Sequence, residues 1–334
     1  MNDRILLAHG GGGRLSQELI AAEILPRFGS GPLATLPDAA SLTLEGCQLR
    51  FSTDSFVVHP LEFPGGNIGH LAVHGTVNDL AVAGARPLWF SLGLILEEGL
   101  PLSTLQVILD AVQHAANQCD IAIVTGDTKV VRRGQCDGIY INTAGIGVAL
   151  PLFSLGRDRI RVGDRILVSG PLGDHGMAVM AVRETLPIKN GPISDTRPLH
   201  RLVAAIQPHG SLIHFMRDPT RGGLATTLNE MTWGQPFGIT LRANDLPFSP
   251  SSLALAELLG LDLLHVASEG CLVLACHPDG VGAVLERWRA LPEGSQAREI
   301  GTVTDQAGRV ILETAIGGQR IIDIPSGELL PRIC

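Results

Sequence analysis

The sequence lacks a run of about 18 uninterrupted apolar residues, the length that a helix needs to cross a membrane. Near its start only Ile5 to Ala8 form an apolar run, which is too short for a secretory signal peptide. Positive charge is also scarce, since 25 Lys and Arg stand against 33 Asp and Glu, for a net charge of −8. Binding of nucleic acid or an anionic membrane needs a basic surface. We therefore expect a cytoplasmic protein whose partners include neither.

The cysteines show no C-x-x-C pair and no regular spacing, which predicts reduced thiols rather than disulfides or a zinc site. Cys334 is the last residue, whereas a prenylation signal needs its cysteine fourth from the end. Two interpretations of this terminal thiol stay open at this point. It is either an inert group on a mobile tail or a covalent arm that carries a substrate.

A chain of 334 residues predicts two domains of roughly 150 residues each. Proline, glycine and charge cluster in "PLFSLGRDRIRVGDRI", and we place the domain boundary there, near residue 151. The resulting division is a glycine-rich arm (1–32), an N-terminal domain (33–150), a C-terminal domain (151–324) and a short tail (325–334) that carries Cys334.

Hydrophobic periodicity predicts interleaved helices and strands, which indicate an α+β or mixed α/β fold. Ser103 and Gln106 are spaced for a capping box at the start of the clearest helix. The predicted strands are 47–58, 86–98, 121–131, 138–150, 165–170, 271–276, 299–304 and 309–314. The predicted helices are 67–85, 103–118, 175–186, 197–208, 220–231, 251–260 and 280–290.

Three aspartates, Asp54, Asp79 and Asp127, stand among small, hydroxyl-bearing or glycine residues. On a helical wheel Asp79 shares an otherwise apolar stripe with Ala72 and Gly75, so its carboxylate needs a cation or several hydrogen-bond donors. Oxygen ligands of this kind suit magnesium, which also shares phosphate oxygens. The alternative is that each aspartate only caps a helix or a turn.

Two further stretches could bind an anion. "HGGGGR", from His9 to Arg14, offers consecutive backbone amides that can wrap a phosphate, although it matches neither a Walker A loop nor the dinucleotide fingerprint. It is otherwise a flexible arm. In "MRDPTRGGL", Asp218 and Pro219 either begin a helix as its cap and first residue, or join Arg221 and the helix amides around an anion.

Two more motifs have plain structural interpretations. Glu269 in "ASEGC" precedes an apolar strand and, taken alone, is a surface glutamate. "SGPLGDHGM", from Ser169 to Met177, is a glycine-rich entry to a helix that we expect to be structural or to close a domain.

Taken together, these motifs are specific. "STDSFVVHPLEFPGGNIGHLAVHGTVNDLAVAGA", "IVTGDTKVV", "INTAGIG", "MRDPTRGGLATTLNE" and the terminal "PRIC" resemble the HypE family of hydrogenase maturation factors, from "AHGGGG" to Cys334. Aminoimidazole ribonucleotide synthetase, thiamine monophosphate kinase and selenophosphate synthetase share the glycine arm and the aspartates, but they lack "PRIC". The resemblance implies the two-domain fold of aminoimidazole ribonucleotide synthetase, with a glycine-rich arm and a flexible C-terminal tail.

The resemblance also implies ATP-dependent dehydration of a carbamoyl group on the terminal thiol to a thiocyanate, which supplies cyanide to the iron of [NiFe]-hydrogenase. It implies ATP and Mg²⁺ in the N-terminal domain near the interface of a homodimer, with the carbamoyltransferase HypF and the HypC–HypD iron scaffold complex as partners. Carried over, the catalytic residues are Cys334, Glu269 and Lys129, and the metal ligands are Asp54, Asp79 and Asp127. The implied nucleotide-binding residues are His9, Gly11, Gly12, Asp54, Asn78, Asp79, Asp127, Thr128, Asp218 and Arg221.

One departure affects the site. Where the family usually has Asn-Glu-Gly-Lys, this chain has Ser268, Glu269, Gly270 and Cys271, so the lysine is missing. Two other functions stay open from the residues. A kinase or synthetase of the same superfamily acting on a free small molecule would not need Cys334, and a scaffold that docks partners through its tail would not hydrolyse ATP.

Overall fold

The computed structural model describes residues 6, 9, 13–28, 36–185, 190–324, 330 and 333–334. Among these residues, no helix has both the length and the apolar character required to span a bilayer. The predicted nucleotide contacts of Gly11 and Gly12 lie outside the described residues, as does most of the predicted tail.

An N-terminal helical segment precedes the first sheet. It consists of α1 (Arg14–Leu19), a π-helical turn (Ile20–Ile24) and α2 (Leu25–Phe28). The side-chain amide of Gln17 donates to Glu230 in the second half of the chain at 3.1 Å, which ties the arm to the body of the protein.

The first sheet has five strands in the order β1-β2-β7-β5-β6, and all neighbours are antiparallel except β5 and β6. A two-stranded hairpin, β3–β4, lies between β2 and the first long helix. The strands are β1 (Ala40–Leu44), β2 (Cys47–Phe56), β3 (Glu62–Phe63), β4 (Gly66–Asn67), β5 (Ala85–Glu97), β6 (Ala122–Val131) and β7 (Ile139–Ala149).

Two helices, α3 (Ile68–Val82) and α4 (Leu102–Gln118), pack with this sheet. Asn67 caps α3, because its Oδ1 accepts from the amides of Gly69 and His70 at 2.9 and 3.3 Å. All residues of α3 apart from His70 and Asp79 are buried, so the helix is enclosed on nearly all sides. Asp79 is therefore one of the two positions at which α3 is accessible from outside.

The second sheet has seven strands in the order β14-β13-β10-β12-β8-β11-β9, and only β10 and β13 run parallel. Its strands are β8 (Arg165–Val168), β9 (Ile213–Arg217), β10 (Gly238–Arg242), β11 (Val273–Cys276), β12 (Arg298–Thr304), β13 (Val310–Glu313) and β14 (Gln319–Ile321). The helices of this half are α5 (Asp174–Arg183), α6 (His200–Ile206), α7 (Gly223–Thr232), α8 (Pro250–Leu259) and α9 (Val281–Arg289).

The two halves share a core through the last turn of α3. Ala81 and Val82 belong to the same buried cluster as Leu167 of β8, Leu202 of α6 and Leu274 of β11. Burial of apolar surface is the main favourable contribution to packing, so this contact fixes α3 against the second sheet. The cavity described below lies beside this shared helix.

The predicted α+β class is confirmed, and the predicted strands and helices all occur, several with shorter bounds. The capping box was wrong, because α4 begins after Pro101 and no side chain caps it. Of the two interpretations of Asp218, the helix cap is contradicted, since α7 begins at Gly223 after a left-handed Gly222. The strands that were missed are short: β1, β3, β4, β9, β10 and β14. Of these, β9 and β10 pair only with strands that lie far along the chain. The first sheet ends at Ala149 and the second begins at Arg165, while the exact domain division stays a prediction.

The tight packing of the first sheet on α3 gives a test. A Cβ added at Gly145 of β7 would lie 2.7 Å from the Phe90 ring and 2.9 Å from Leu80, whereas a Cβ at Gly282 of α9 would meet nothing within 4 Å. We expect Gly145→Ala to lower the free energy of unfolding by roughly 1–3 kcal/mol through overpacking. Gly282→Ala should leave it unchanged or raise it by up to about 1 kcal/mol, as alanine favours helix. Urea unfolding measures both, and equal stability of the two variants would contradict this packing.

Candidate active site

A cavity of about 190 Å³ opens where the first sheet and α3 meet the loops of the second half. Its lining combines acidic, basic, hydroxyl and thiol side chains. The lining residues are Asp38, Thr53, Asp54, Gly75, Asp79, Arg217, Asp218, Thr220, Arg221, Glu269 and Cys334. Five of the residues predicted for the site therefore meet here with the terminal thiol: Asp54, Asp79, Asp218, Arg221 and Glu269.

The first half contributes Asp54 from β2 and Asp79 from the last turns of α3. Gly75 lies one turn before Asp79, and a Cβ there would be 2.8 Å from the Phe56 ring. Glycine thus allows α3 to approach β2 closely enough for both carboxylates to face one space. Ser52 donates to Asp79 Oδ2 at 2.6 Å, and this contact orients the carboxylate.

The second half contributes Asp218, Thr220 and Arg221 from the loop between β9 and α7. Gly222 and Gly223 close this loop with positive φ angles of 75° and 62°, a conformation that favours glycine. Because α7 begins only at Gly223, the Asp218 side chain belongs to the cavity rather than to a helix cap.

Burial and mutual repulsion disfavour ionisation of three carboxyl groups of the cavity, Asp79, Asp218 and Asp54. Burial, together with the nearby charges of Asp218 and Asp54, raises the pKa of Asp79 well above its ordinary value. Burial and the charge of Asp38 raise the pKa of Asp218 to about 7, against the effect of Arg217. Burial also raises the pKa of Asp54, although Arg221 acts in the opposite direction. A cation placed among these groups would relieve their repulsion.

Arg217 and Asp38 were missed by the sequence analysis. The Arg217 guanidinium lies 2.8 Å from Asp38 and 2.8 Å from Glu230, which in turn accepts from Gln17 of the arm. The pair therefore links the cavity wall to the N-terminal helix. No local pattern marks these residues, because the ion pair joins segments that are far apart in the sequence.

Glu269 is 2% exposed, and its backbone is held from two sides. The two carboxylate oxygens of Asp195 accept from the amides of Glu269 and Gly270, each at 3.1 Å. Asn78 Nδ2 donates to the Glu269 carbonyl at 3.1 Å. One carboxylate oxygen of Glu269, Oε1, is buried with no hydrogen-bond partner among the described residues. The residue assigned as a surface glutamate by its local sequence is therefore a buried, rigidly placed acid.

Asn78 itself does not line the cavity. Its Nδ2 also donates to the Arg197 carbonyl at 3.1 Å, and its Oδ1 accepts from Leu199 at 2.8 Å. These bonds use both amide hydrogens of a fully buried side chain. They favour a structural role for Asn78 over the predicted nucleotide contact.

The Cys334 thiol lies against Glu269, and the two side chains share a hydrogen bond. Burial and the charge of Glu269 raise the pKa of the thiol well above its ordinary value, although Arg221 favours the thiolate. For Glu269 the pKa is also raised well above the ordinary value, by burial and then by Asp218 and Asp195. The thiol is thus uncharged at neutral pH, and ionisation of the Glu269 carboxyl group is disfavoured in the ligand-free chain.

Asp127, Thr128 and Lys129 lie elsewhere, on the edge strand β6. Lys129 and Asp127 form an ion pair of 3.1 Å with both side chains 70% exposed, and a hydrogen bond from Lys129 lowers the pKa of Asp127. His9 is also outside the lining; its carbonyl accepts from Ser16 at 2.7 Å. One chain therefore does not bring these predicted residues to the cavity, and their roles stay predictions.

Of the three predicted magnesium ligands, Asp54 and Asp79 line the cavity and Asp127 does not. Within the described ranges no three His, Cys, Asp or Glu side chains form a group that could hold a metal ion. Magnesium commonly takes one or two carboxylates and completes its shell with water and phosphate oxygens. The oxygen donors of Asp54 and Asp79 fit that pattern, whereas a closed protein cage does not occur here.

Comparison with known proteins places the chain in a family. The AIR synthase related protein N-terminal domain matches residues 37–149, and the corresponding C-terminal domain matches residues 161–313. Carbamoyl dehydratase HypE of Bradyrhizobium diazoefficiens is 48% identical over 335 residues, which cover 100% of this chain and 97% of that protein. Carbamoyl dehydratase HypE of Escherichia coli is 43% identical, over 99% of this chain and 100% of its own length. The chain belongs to the HypE family.

Solved structures of the HypE family have the same fold. A crystal structure of a HypE–HypF complex superposes with a TM-score of 0.88 at 40% identity, covering 94% of this chain and 100% of that chain. A HypE structure in complex with ATP gives 0.83 at 44% identity, covering 99% and 100%. Thiamine monophosphate kinase of Aquifex aeolicus, at 19% identity and a TM-score of 0.63, shares the fold alone. The predicted family and its fold are confirmed.

Cys271, at the position where the HypE family usually has lysine, is 1% exposed. Its Sγ lies 3.6 Å from the Gly170 carbonyl, and burial raises its pKa to about 12. A neutral, enclosed thiol supplies no positive charge, whereas Arg221 of the cavity is a cation that interacts with Glu269.

The raised carboxyl pKa values predict how stability depends on pH. Between about pH 4 and pH 7 the folded chain keeps the proton of Asp218 while the unfolded chain has lost it, so this group makes the folded state less stable as pH rises. Asp218→Asn stays uncharged and escapes that loss. We expect the Tm of the variant minus that of the unmodified chain to increase by roughly several degrees from pH 5 to pH 7.5, in the absence of metal and nucleotide.

Calorimetry of both proteins across this pH range measures the difference between their Tm values. Groups that titrate in both proteins cancel from that difference. Asp305→Asn, at an exposed bend, is the matched control and should track the unmodified chain. A constant Tm difference for Asp218→Asn would mean that Asp218 is already ionised in the folded protein at pH 5.

Proposed function

We propose that this chain carries its own substrate on Cys334 and dehydrates it, as an ATP-dependent carbamoyl dehydratase of the HypE family. The observation that supports this most directly is the Cys334 thiol in the same cavity as Glu269, the carboxylates and two arginines. An inert tail would have no reason to insert its last side chain among buried charged groups, since burying polar groups is costly without a compensating use.

The reaction balances as a phosphoryl transfer followed by an elimination. The carbamoyl oxygen on Cys334 attacks the γ-phosphorus of ATP, a P–O bond to ADP breaks, and the nitrogen loses one proton. The carbon–oxygen bond then breaks, phosphate leaves, and loss of the second proton gives the C≡N bond of a thiocyanate. Phosphorylation is needed because an amide oxygen is a poor leaving group, and positioning with charge stabilisation provides most of the catalysis.

Glu269 is suited to accept a proton from that nitrogen. It contacts the thiol that bears the group, and its Oε1 is buried without another partner among the described residues. Burial raises its pKa, which makes its carboxylate a stronger base. Lys129 is the predicted second proton-handling group.

The cavity fits the phosphate end of a nucleotide. Arg217, Arg221 and the Thr220 hydroxyl offer donors, while a volume of about 190 Å³ is below the roughly 300–1,000 Å³ of sites that enclose a whole ligand. Asp54 and Asp79 would hold Mg²⁺, which when bound supplies positive charge next to the phosphates. The nucleoside end then extends out of this cavity.

The inserted thiol is a poor acceptor for a carbamoyl group, because its raised pKa keeps it protonated where it lies. Carbamoylation therefore takes place with the tail outside the cavity, on a partner. The HypE–HypF complex supports HypF as that partner. The HypC–HypD complex is the proposed acceptor of the cyanide for the [NiFe]-hydrogenase iron.

A homodimer would account for the residues on β6. Exposed apolar side chains cluster on the strands of the first sheet, and β6 is an edge strand whose backbone can pair with another chain. The exposed side chains include Phe51, Trp89, Ile123, Val124 and Val130. Pairing of two such sheets would bring Asp127, Thr128 and Lys129 of one chain toward the cavity of the other.

Intact-protein mass spectrometry tests the reaction. After incubation with HypF, a carbamoyl donor and ATP, the chain should gain one carbamoyl group and then lose the mass of one water. Cys334→Ala should show neither of these mass changes. Glu269→Gln should accept the carbamoyl group but dehydrate it roughly 100-fold more slowly or worse, because the base is gone. Turnover of a free small molecule by Cys334→Ala would instead support the kinase or synthetase alternative.

Mixing two inactive variants tests the shared site. We expect Asp79→Asn to abolish ATP turnover in a folded protein, and Lys129→Ala to impair it strongly. If each site takes Asp79 from one chain and Lys129 from the other, a refolded equal mixture regains about a quarter of the activity, since half of the dimers are mixed and each has one intact site. No gain above the separate variants would place both residues in the same chain's site.

A further inference from the structure

The end of the chain is held by a buried histidine that the proposed reaction does not use. His175, in the first turn of α5, is 0% exposed, and its Nε2 lies 2.7 Å from the carbonyl oxygen of Ile333. Ile333 directly precedes Cys334 and is 4% exposed, packed in the same cluster as Phe63 and Val179. The contact is therefore made to the last peptide group before the reactive thiol.

The hydrogen bonds define which ring nitrogen carries the hydrogen. A carbonyl oxygen can only accept, so Nε2 of His175 must donate and Nδ1 must accept. The partner of Nδ1 is the Ser194 hydroxyl at 2.8 Å, which has a hydrogen to donate and itself accepts from the amide of Thr196 at 3.1 Å. Burial lowers the pKa of His175 to about 4, so the neutral ring that this scheme requires is the form present at neutral pH.

The ring is also fixed in orientation. Phe63 packs edge-on against it, with ring centroids 5.2 Å apart and planes at 84°. The backbone amide of Ser194 donates to the Pro64 carbonyl at 2.8 Å. Three segments, α5, the loop at Ser194 and the β3–β4 hairpin, therefore converge on the final peptide of the chain.

Asp195, next to Ser194 in the same loop, holds the backbone of the proposed base, Glu269. Asp195 accepts from the amides of Glu269 and Gly270, each at 3.1 Å. Ser194, through His175, positions the peptide before Cys334, while Asp195 positions the peptide of Glu269. One dipeptide thus sets the thiol and the carboxylate relative to each other.

We propose that His175, oriented by Ser194, is a positioning residue that fixes the register of the inserted tail so that the group on Cys334 faces Glu269. This inference rests on the proposed function. A slip of one residue would move the thiol by roughly 3.3–3.6 Å. Misplacement of a reacting group by even about 1 Å costs on the order of 100-fold in rate, so the contact matters for the reaction as well as for docking.

Two substitutions separate the hydrogen bond from the shape of the side chain. His175→Phe keeps a ring but has no donor, whereas His175→Gln offers an amide N–H at similar reach. We expect His175→Phe to expose the tail, so that an alkylating reagent labels Cys334 about tenfold faster, the effect of losing one buried hydrogen bond. Single-turnover dehydration of the carbamoylated chain should fall by at least as much at saturating ATP, with the KM for ATP unchanged. His175→Gln should recover most of both.

The control is His214→Gln, which changes a histidine that pairs with Asp164 at 2.7 Å away from the tail. It should leave the labelling rate unchanged. If His175→Phe does not fold, Ser194→Ala replaces it; loss of the hydroxyl donor should speed labelling about threefold.

The readouts distinguish the two proposals. Wild-type labelling and dehydration in His175→Phe would overturn the positioning role, and so would faster labelling with undiminished dehydration. If the unmodified chain forms no thiocyanate, the proposed reaction is wrong. The alkylation rate of Cys334 still tests whether His175 holds the tail in place. Faster labelling in His175→Phe than in His214→Gln would then support it, and equal rates would overturn it.

Discussion

Crowding of like charges in one cavity is the constraint on which the structure depends. Five carboxylates line it, two from strand and helix of the first half, two from loops of the second and one, Asp38, from the segment before β1. Each makes ionisation of its neighbours less favourable, and Arg217 and Arg221 offset only part of that effect. In the ligand-free chain, burial and this repulsion disfavour ionisation of Asp54, Asp79, Asp218 and Glu269. A ligand with positive charge would therefore relieve repulsion among carboxyl groups that the fold already holds in place.

The same low-dielectric surroundings serve two different needs at Cys334 and Glu269. A thiol that stays protonated is unreactive toward solvent oxidants and stray electrophiles while it is inserted. A carboxyl group with a raised pKa is a stronger base once it is ionised. Burial is thus protective for the first group and activating for the second, although both pKa values move in the same direction.

The sequence predicted the long elements well, because α4 carries a clear helical period and α3 and β5 are long, largely apolar runs. It also named Asp54, Asp79, Asp218, Arg221, Glu269 and Cys334, which the fold brings together, although Glu269 and Cys334 depended on the family resemblance and not on any local pattern. Asp38, Arg217, Asp195 and His175 could not be found in this way. Their roles arise from contacts such as Arg217 with Asp38 or His175 with Ile333, which join segments far apart in the chain. Short strands such as β9 were missed for the same reason.

The enclosure of α3 has a consequence for how the two halves relate to each other. Ala81 and Val82 complete the apolar interior of the second sheet, yet they belong to a helix that emerges from the first. A fragment made of residues before the linker would expose them, and a fragment made of the rest would contain a void where they fit. The halves are therefore not interchangeable modules. Each is finished by the other, and recombining one with a foreign partner would require the new helix end to match that interior in shape.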